Sequence, residues 1–136
     1  MMRFSLQVAV WLVWAGAASA DMIEFKSPTG NIQCAIYSDP SGASVRCDMS
    51  SLVPSYTERP AGCEFDWGSS FAVDAKGKGY LACVSDPAAG PGAVVLRYGQ
   101  AASLGGISCV SAETGMTCTN AKGHGFSIAK ARQKLY

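Results

Sequence analysis

The chain of 136 residues has one histidine, His124, no Cys-x-x-Cys pair and no Gly-x-Ser-x-Gly elbow. Without the elbow, His124 has no serine nucleophile set for it in sequence. Scattered cysteines and a lone imidazole also argue against zinc, whose structural sites draw four soft ligands from closely spaced pairs. No metal and no cofactor is therefore expected. Charge of one sign is lacking too: 11 Lys and Arg stand against 10 Asp and Glu, so a general nucleic-acid surface is not expected. Nor is there an apolar run of the roughly 20 residues that a membrane-spanning helix needs.

The longest apolar run, Phe4 to about Ala15, contains Ser5 and Gln7, follows Arg3 and precedes the small triplet Ala18-Ser19-Ala20. These are the parts of a secretory signal peptide over residues 1–20, with cleavage leaving Asp21 first and removing the one excess base. The expectation is a secreted or periplasmic protein. The remainder, residues 21–136, suits a single domain with a core and no membrane span.

What is present is cysteine and strand-forming residues. Cys34, Cys47, Cys63, Cys83, Cys109 and Cys118 all lie in that exported part, where an oxidising compartment favours disulfides. Gly, Pro, Asn, Asp and Ser interrupt the chain every few residues, and the stretches between are rich in Val, Ile, Phe, Tyr and Thr. This pattern predicts an all-β fold, a small antiparallel β-sandwich or barrel of short strands stapled by disulfides. The candidate strands are Ile23–Lys26, Asn31–Tyr37, Ser44–Met49, Phe71–Ala75, Tyr80–Val84, Val94–Tyr98, Gly106–Val110, Met116–Asn120 and Phe126–Ile128. Ala129–Leu135 is read as a helical turn or two. Ser51–Pro60 and Asp86–Gly92 are read as loops.

Parity tests the cysteine pairing. If Asp39-Pro40-Ser41-Gly42 is a hairpin loop, Ser38 faces Ala43, Ile36 faces Val45, Cys34 faces Cys47 and Ile32 faces Met49, all on one side of the sheet. An odd-length loop would send the two cysteines to opposite faces. The same device around Ala112-Glu113-Thr114-Gly115 brings Cys109 opposite Cys118. Cys63 and Cys83 remain, and a hairpin turning in Lys76-Gly77-Lys78-Gly79 would not align them, so their bond would tie a separate segment to that hairpin. Six cysteines allow many other pairings. The inward face should include Ile32, Ile36, Val45 and Leu81.

Candidate functional residues are few. His124 sits between glycines in Gly123-His124-Gly125-Phe126, open to a ligand or to use as a general base, although a glycine-rich turn with a surface imidazole is the better explanation. Phe126 can anchor that turn by burying its ring. Lys122, Lys130, Arg132 and Lys134 follow Glu113, the last acid, and read as a solvated basic tail or as a contact for an anionic partner. Glu64 and Asp66 would share one face of a strand, with Phe65 and Trp67 on the other. Trp67-Gly68 is either core or a platform on which a sugar or peptide stacks.

Several segments then occur in a telling order: Phe25-x-Ser27-Pro28-x-Gly30-Asn31-Ile32-x-Cys34, Val45-Arg46-Cys47-Asp48, Asp66-Trp67-Gly68, Leu96-x-Tyr98-Gly99-Gln100, and Cys109 through Thr117-Cys118-Thr119-Asn120 into Gly123-His124-Gly125-Phe126. Together they resemble domain-of-unknown-function family 6636, a family of secreted bacterial domains, over nearly all of residues 21–136. The resemblance implies an exported, cysteine-containing domain and supplies no catalytic residues. Val84-Ser85-Asp86-Pro87 departs from the Gly-Asp of the family pattern, so that loop should differ locally. The resulting expectation is a monomeric, non-enzymatic binding or accessory module of the periplasm or cell envelope. Its partner would be an envelope protein or glycan, and His124, Phe126, Trp67 and Tyr98 its candidate binding residues. The alternative is a small hydrolase pairing His124 with Asp66, Asp86 or Glu64.

Overall fold

The computed structural model describes residues 20–136, together with Met2, Ala9 and Val10. The signal-peptide expectation therefore lies outside the described residues. From Asp21 onward the elements are β1 (Asp21–Lys26), β2 (Ile32–Asp39), β3 (Gly42–Met49), β4 (Ser70–Asp74), β5 (Tyr80–Leu81), β6 (Val94–Val95), β7 (Ala101–Leu104), β8 (Ile107–Ala112), β9 (Gly115–Thr119), β10 (Gly125–Ala129) and β11 (Arg132–Leu135). They form one sheet of order β5-β4-β3-β2-β1-β6 and a second of order β11-β10-β9-β8-β7. All pairings are antiparallel except that of β6 with β1. Of the two architectures expected, this is the sandwich, with no closed barrel.

Alternation builds the core. Along β2, Ile32, Cys34 and Ile36 are buried while their neighbours are not, and β3 repeats the pattern at Ala43, Val45, Cys47 and Met49. The second sheet contributes Ile107, Cys109, Met116, Cys118, Phe126 and Ile128 to the same cluster. Leu81 packs at its margin, half-buried. Directly opposed residues carry two of the disulfides: Cys34–Cys47 with Cα atoms 4.1 Å apart and Cys109–Cys118 at 4.0 Å. Such close approach marks non-hydrogen-bonded antiparallel pairs, whose side chains are nearest. The two bridges also meet in the middle of the sandwich, where Cys47 Sγ and Cys118 Sγ are 3.8 Å apart. Beside them Phe71 and Phe126 contact across the sheets with ring centroids 6.4 Å apart.

The sequence-based hairpin registers differ from the structure only in loop length. Asp39 pairs with Gly42 and Ala112 with Gly115, so each loop has two residues and the same parity. The Asp39 carboxylate accepts from the Ser41 amide at 2.8 Å, which closes the first turn locally. Three other expectations need correction. Val94–Tyr98 is a strand only at Val94–Val95, and the strand missed there is β7, which turns through Gly105 (φ 61°) and Gly106 (φ 83°) into β8. Two successive left-handed residues match the right-handed twist of a tight hairpin, and glycine takes them freely. Tyr80–Val84 shortens to Tyr80–Leu81, followed by an isolated bridge between Asp66 and Val84. The helical turn expected at Ala129–Leu135 is instead the hairpin of β10 and β11.

The first sheet is completed by a crossing. After β5 the chain must pass from one edge of the sheet to the other before forming β6, and it does so over the outer face. Asp86 reaches Arg46 on β3, the Ala88 amide donates to Asp48 at 2.8 Å, and Gly90 lies beside the Glu24 carboxylate of β1.

Candidate functional site

Two surface depressions contain the candidate binding residues Trp67 and Tyr98, one each. One is an apolar groove of about 390 Å³ lined by Leu52, Pro54, Tyr56, Thr57, Trp67, Gly68 and Ser69. Both of its walls are tied down. On one side, the Asp66 and Val84 backbones exchange hydrogen bonds of 3.1 and 3.0 Å, and Cys63–Cys83 bridges the same segments. Gly68, at φ 98°, then redirects the chain into β4, a conformation other residues rarely adopt. On the other side, residues 52–57 run along the otherwise free edge of β11. The Val53 amide donates to Lys130 O at 2.7 Å and the Leu135 amide to Tyr56 Oη at 2.8 Å. Buried Gln133 accepts from Ser55 N at 2.9 Å and donates to Val53 O at 3.2 Å.

The other depression, a cleft of about 380 Å³, lies among the turns at one end of the sandwich, with Tyr98, Thr29, Asn31, Glu113 and Lys130 in its lining. The Ser27-Pro28-Thr29-Gly30-Asn31 motif builds one wall. The Ser27 amide donates to Ile32 O at 2.9 Å and the Ile32 amide to Ser27 Oγ at 3.1 Å, Gly30 N donates to Ser27 O at 2.8 Å, and Asn31 Nδ2 donates to Ser51 O at 3.0 Å. Those motif residues therefore hold a turn together.

His124 is in neither depression. It closes the turn between β9 and β10, which is organised by buried Asn120: Asn120 Oδ1 accepts from the Lys122 and His124 amides at 2.9 and 3.1 Å, and its Nδ2 donates to Asp74 O and Gly77 O, both at 3.0 Å. Asn120 thus fastens this turn to the β4–β5 loop of the other sheet. Phe126 is fully buried against Phe71 and acts from the core. Glu64, Phe65 and Asp66 are exposed on an irregular segment rather than a strand, and Asp86 pairs with Arg46 at 3.4 Å. Among the described residues, no hydrogen bond or ion pair joins His124 to Glu64, Asp66 or Asp86, and no three His, Cys, Asp or Glu side chains gather as a metal site.

The strongest electrostatic constellation is one that sequence reasoning left aside. Asp48 accepts from Arg46 Nε and Nη2, both at 2.9 Å, from Ser70 Oγ at 2.7 Å and from the Ala88 amide. Burial opposes its charge, but these donors and the Arg46 charge prevail and hold the carboxyl below its ordinary range. Arg46 also donates to Asp86 O. The cluster pins the crossing loop to β3. Its sequence signal was Arg46-x-Asp48, alternate residues on the outward face of a strand.

Over residues 5–136 the chain matches the family of unknown function DUF6636, and it belongs to that family. Neither the curated proteins nor the solved structures yielded a match.

Proposed function

We propose that the protein is an exported, non-enzymatic binding module of the periplasm or cell envelope, freed of residues 1–20 on export and acting as a monomer. Its ligand is a glycan of the envelope, taken in the groove at Trp67. The observation that supports this most is that both groove walls are immobilised: Trp67 by the adjacent bridge and disulfide, Tyr56 and Pro54 by the edge of β11. A fixed aromatic face loses little side-chain freedom when a ligand stacks on it, and the hydroxyl-bearing residues Thr57 and Ser69 line the same groove. The apolar face of a pyranose with its rim of hydroxyls matches that combination.

Cleavage after Ala20 would leave Trp67 as the sole tryptophan, since the others are Trp11 and Trp14. The test is fluorescence titration of the protein purified after export, with soluble peptidoglycan fragments as the probe. A saturable change in emission, absent with a charged oligopeptide and with Trp67→Phe reading the same affinity by calorimetry while Trp67→Ala loses at least about tenfold, supports the reading. No change in emission and no heat at millimolar fragment would overturn it.

A further inference from the structure

The near-zero net charge conceals a division between the sheets. Residues 21–86, which supply β1 to β5, carry nine acids and five bases, whereas residues 87–136 carry five bases and only Glu113 as an acid. On the outer face of the second sheet five hydroxyl-bearing residues line up in register, with the exposed Val110 beside Thr117. Register puts Ser103, Ser108 and Thr119 in one row across the strands, and Thr117, Ser127 and Lys134 in the next. Arg132 stands beside that second row, two residues along β11 from Lys134, and both bases are exposed. Ser103 and Ser108 hydroxyls bond at 3.0 Å, as do those of Thr117 and Ser127, which pre-orders each row while leaving each oxygen with further capacity. A depression of about 340 Å³ bounded by Thr117, Ser127, Arg132 and Lys134 lies on this face.

We infer that this face binds an acidic polysaccharide. Rows of hydroxyls that both donate and accept complement sugar hydroxyls, and two bases at the end of a row complement carboxylates carried along the polymer. Adjacent strands are about 4.8 Å apart, on the order of the length of one sugar residue, so an extended chain lying across the strands follows a single row and meets its side chains one strand after another. A lipid surface would favour protruding apolar side chains, and the exposed large apolar residue on these strands is Val110 alone among the described residues. An acidic polypeptide would find the bases but no use for the hydroxyl rows. The inference uses residues distinct from the Trp67 groove and does not depend on it.

The experiment is a binding titration of the purified, oxidised protein with a soluble polyuronate, beside neutral dextran, poly-glutamate and phosphatidylglycerol vesicles. The expected result is polyuronate binding that weakens at least about tenfold between low and physiological salt, with dextran much weaker. Arg132→Gln with Lys134→Gln should reduce it at least about tenfold. Thr117→Val with Ser127→Ala should weaken polyuronate binding and leave any poly-glutamate binding unchanged, and circular dichroism checks that both double variants fold. Trp67→Ala should have no effect on this binding. Absence of polyuronate binding at low salt, wild-type affinity in the Arg132/Lys134 variant, or equal or tighter binding to poly-glutamate or vesicles would each overturn the inference.

Discussion

The second sheet is a meander, β7 to β11 in chain order, and three of its four turns have only two residues. The first sheet borrows its last strand, β6, from beyond a loop that crosses its outer face. Both contribute one cross-strand disulfide to a shared centre, yet they are held differently. In the meander each strand is positioned by its chain neighbour, at a small closure cost. In the first sheet, β6 is reached only if the crossing is fixed, and Arg46, Asp48, Ser70 and the Ala88 amide fix it. Local turns suffice for one half of the sandwich. The other half depends on a partly buried ionic cluster and on Cys63–Cys83 at its margin.

The most disruptive way to break this contrast is at the shared centre. Phe126→Ala should destabilise both sheets together, by about 3–5 kcal/mol, in a single chemical-denaturation transition. Separate transitions for the two halves would show that they do not share one core.

Next come the disulfides. A purely entropic account ranks Cys63–Cys83 first, since it closes 20 residues against 13 and 9 for the others. Burial predicts the opposite order, because replacing Cys34 and Cys47, or Cys109 and Cys118, by alanine also leaves a hole where the two bridges touch. Each core pair should cost about 3–5 kcal/mol and the Cys63–Cys83 pair about 2–3 kcal/mol. Denaturation midpoints of the three double variants decide between the accounts.

Asp48→Asn should act directly on the first sheet alone, costing about 1–3 kcal/mol at neutral pH by weakening the cluster under the crossing loop. In the wild type the Asp48 carboxyl titrates below its unfolded value near 3.9, so its contribution is complete above that pH and fades as pH falls through the folded value. The stability gap between wild type and variant should therefore narrow on acidification below about pH 4. Hydrogen exchange at β6 should rise more in the variant than exchange at β8 to β10, which should increase only by the loss in global stability. A gap that widened in acid would contradict the assignment.

The smallest effect is expected at His124. Its turn is held by its backbone and by Asn120, so His124→Ala should change stability by no more than about 0.5 kcal/mol. Asn120→Ala, which frees both the turn and its link to Asp74 and Gly77, should cost more. Equal costs would mean that the imidazole itself supports the turn.

How much of this was legible follows the same division between local and distant. Cys34 faces Cys47 and Cys109 faces Cys118 because parity from a short turn leaves little choice once one face is apolar. Ala129–Leu135 misleads because Ala, Lys, Arg, Gln and Leu favour helix, and because the buried residue of its alternation is polar. Gln133 is buried only because residues 53 and 55 come from far away in sequence to satisfy it. Val94–Tyr98 fails for a similar reason: its valines pair for two residues with β1 and then the chain turns toward the other sheet. For the candidate site, Trp67 was visible as a possible platform, but its facing wall of residues 52–57 was not.

By itself, then, the sequence determined the all-β class, the registers of the two cysteine hairpins and the family to which the chain belongs, since alternation, turn residues and ordered motifs act over a few neighbours. Only the tertiary structure decided that the two disulfides meet, that β6 joins the first sheet in parallel, that His124 and the carboxylates are not bonded to one another, and that hydroxyls and bases share one face. Each of these depends on the packing of segments distant in sequence, where solvent exclusion and a few satisfied polar groups select one arrangement from many that local preferences allow.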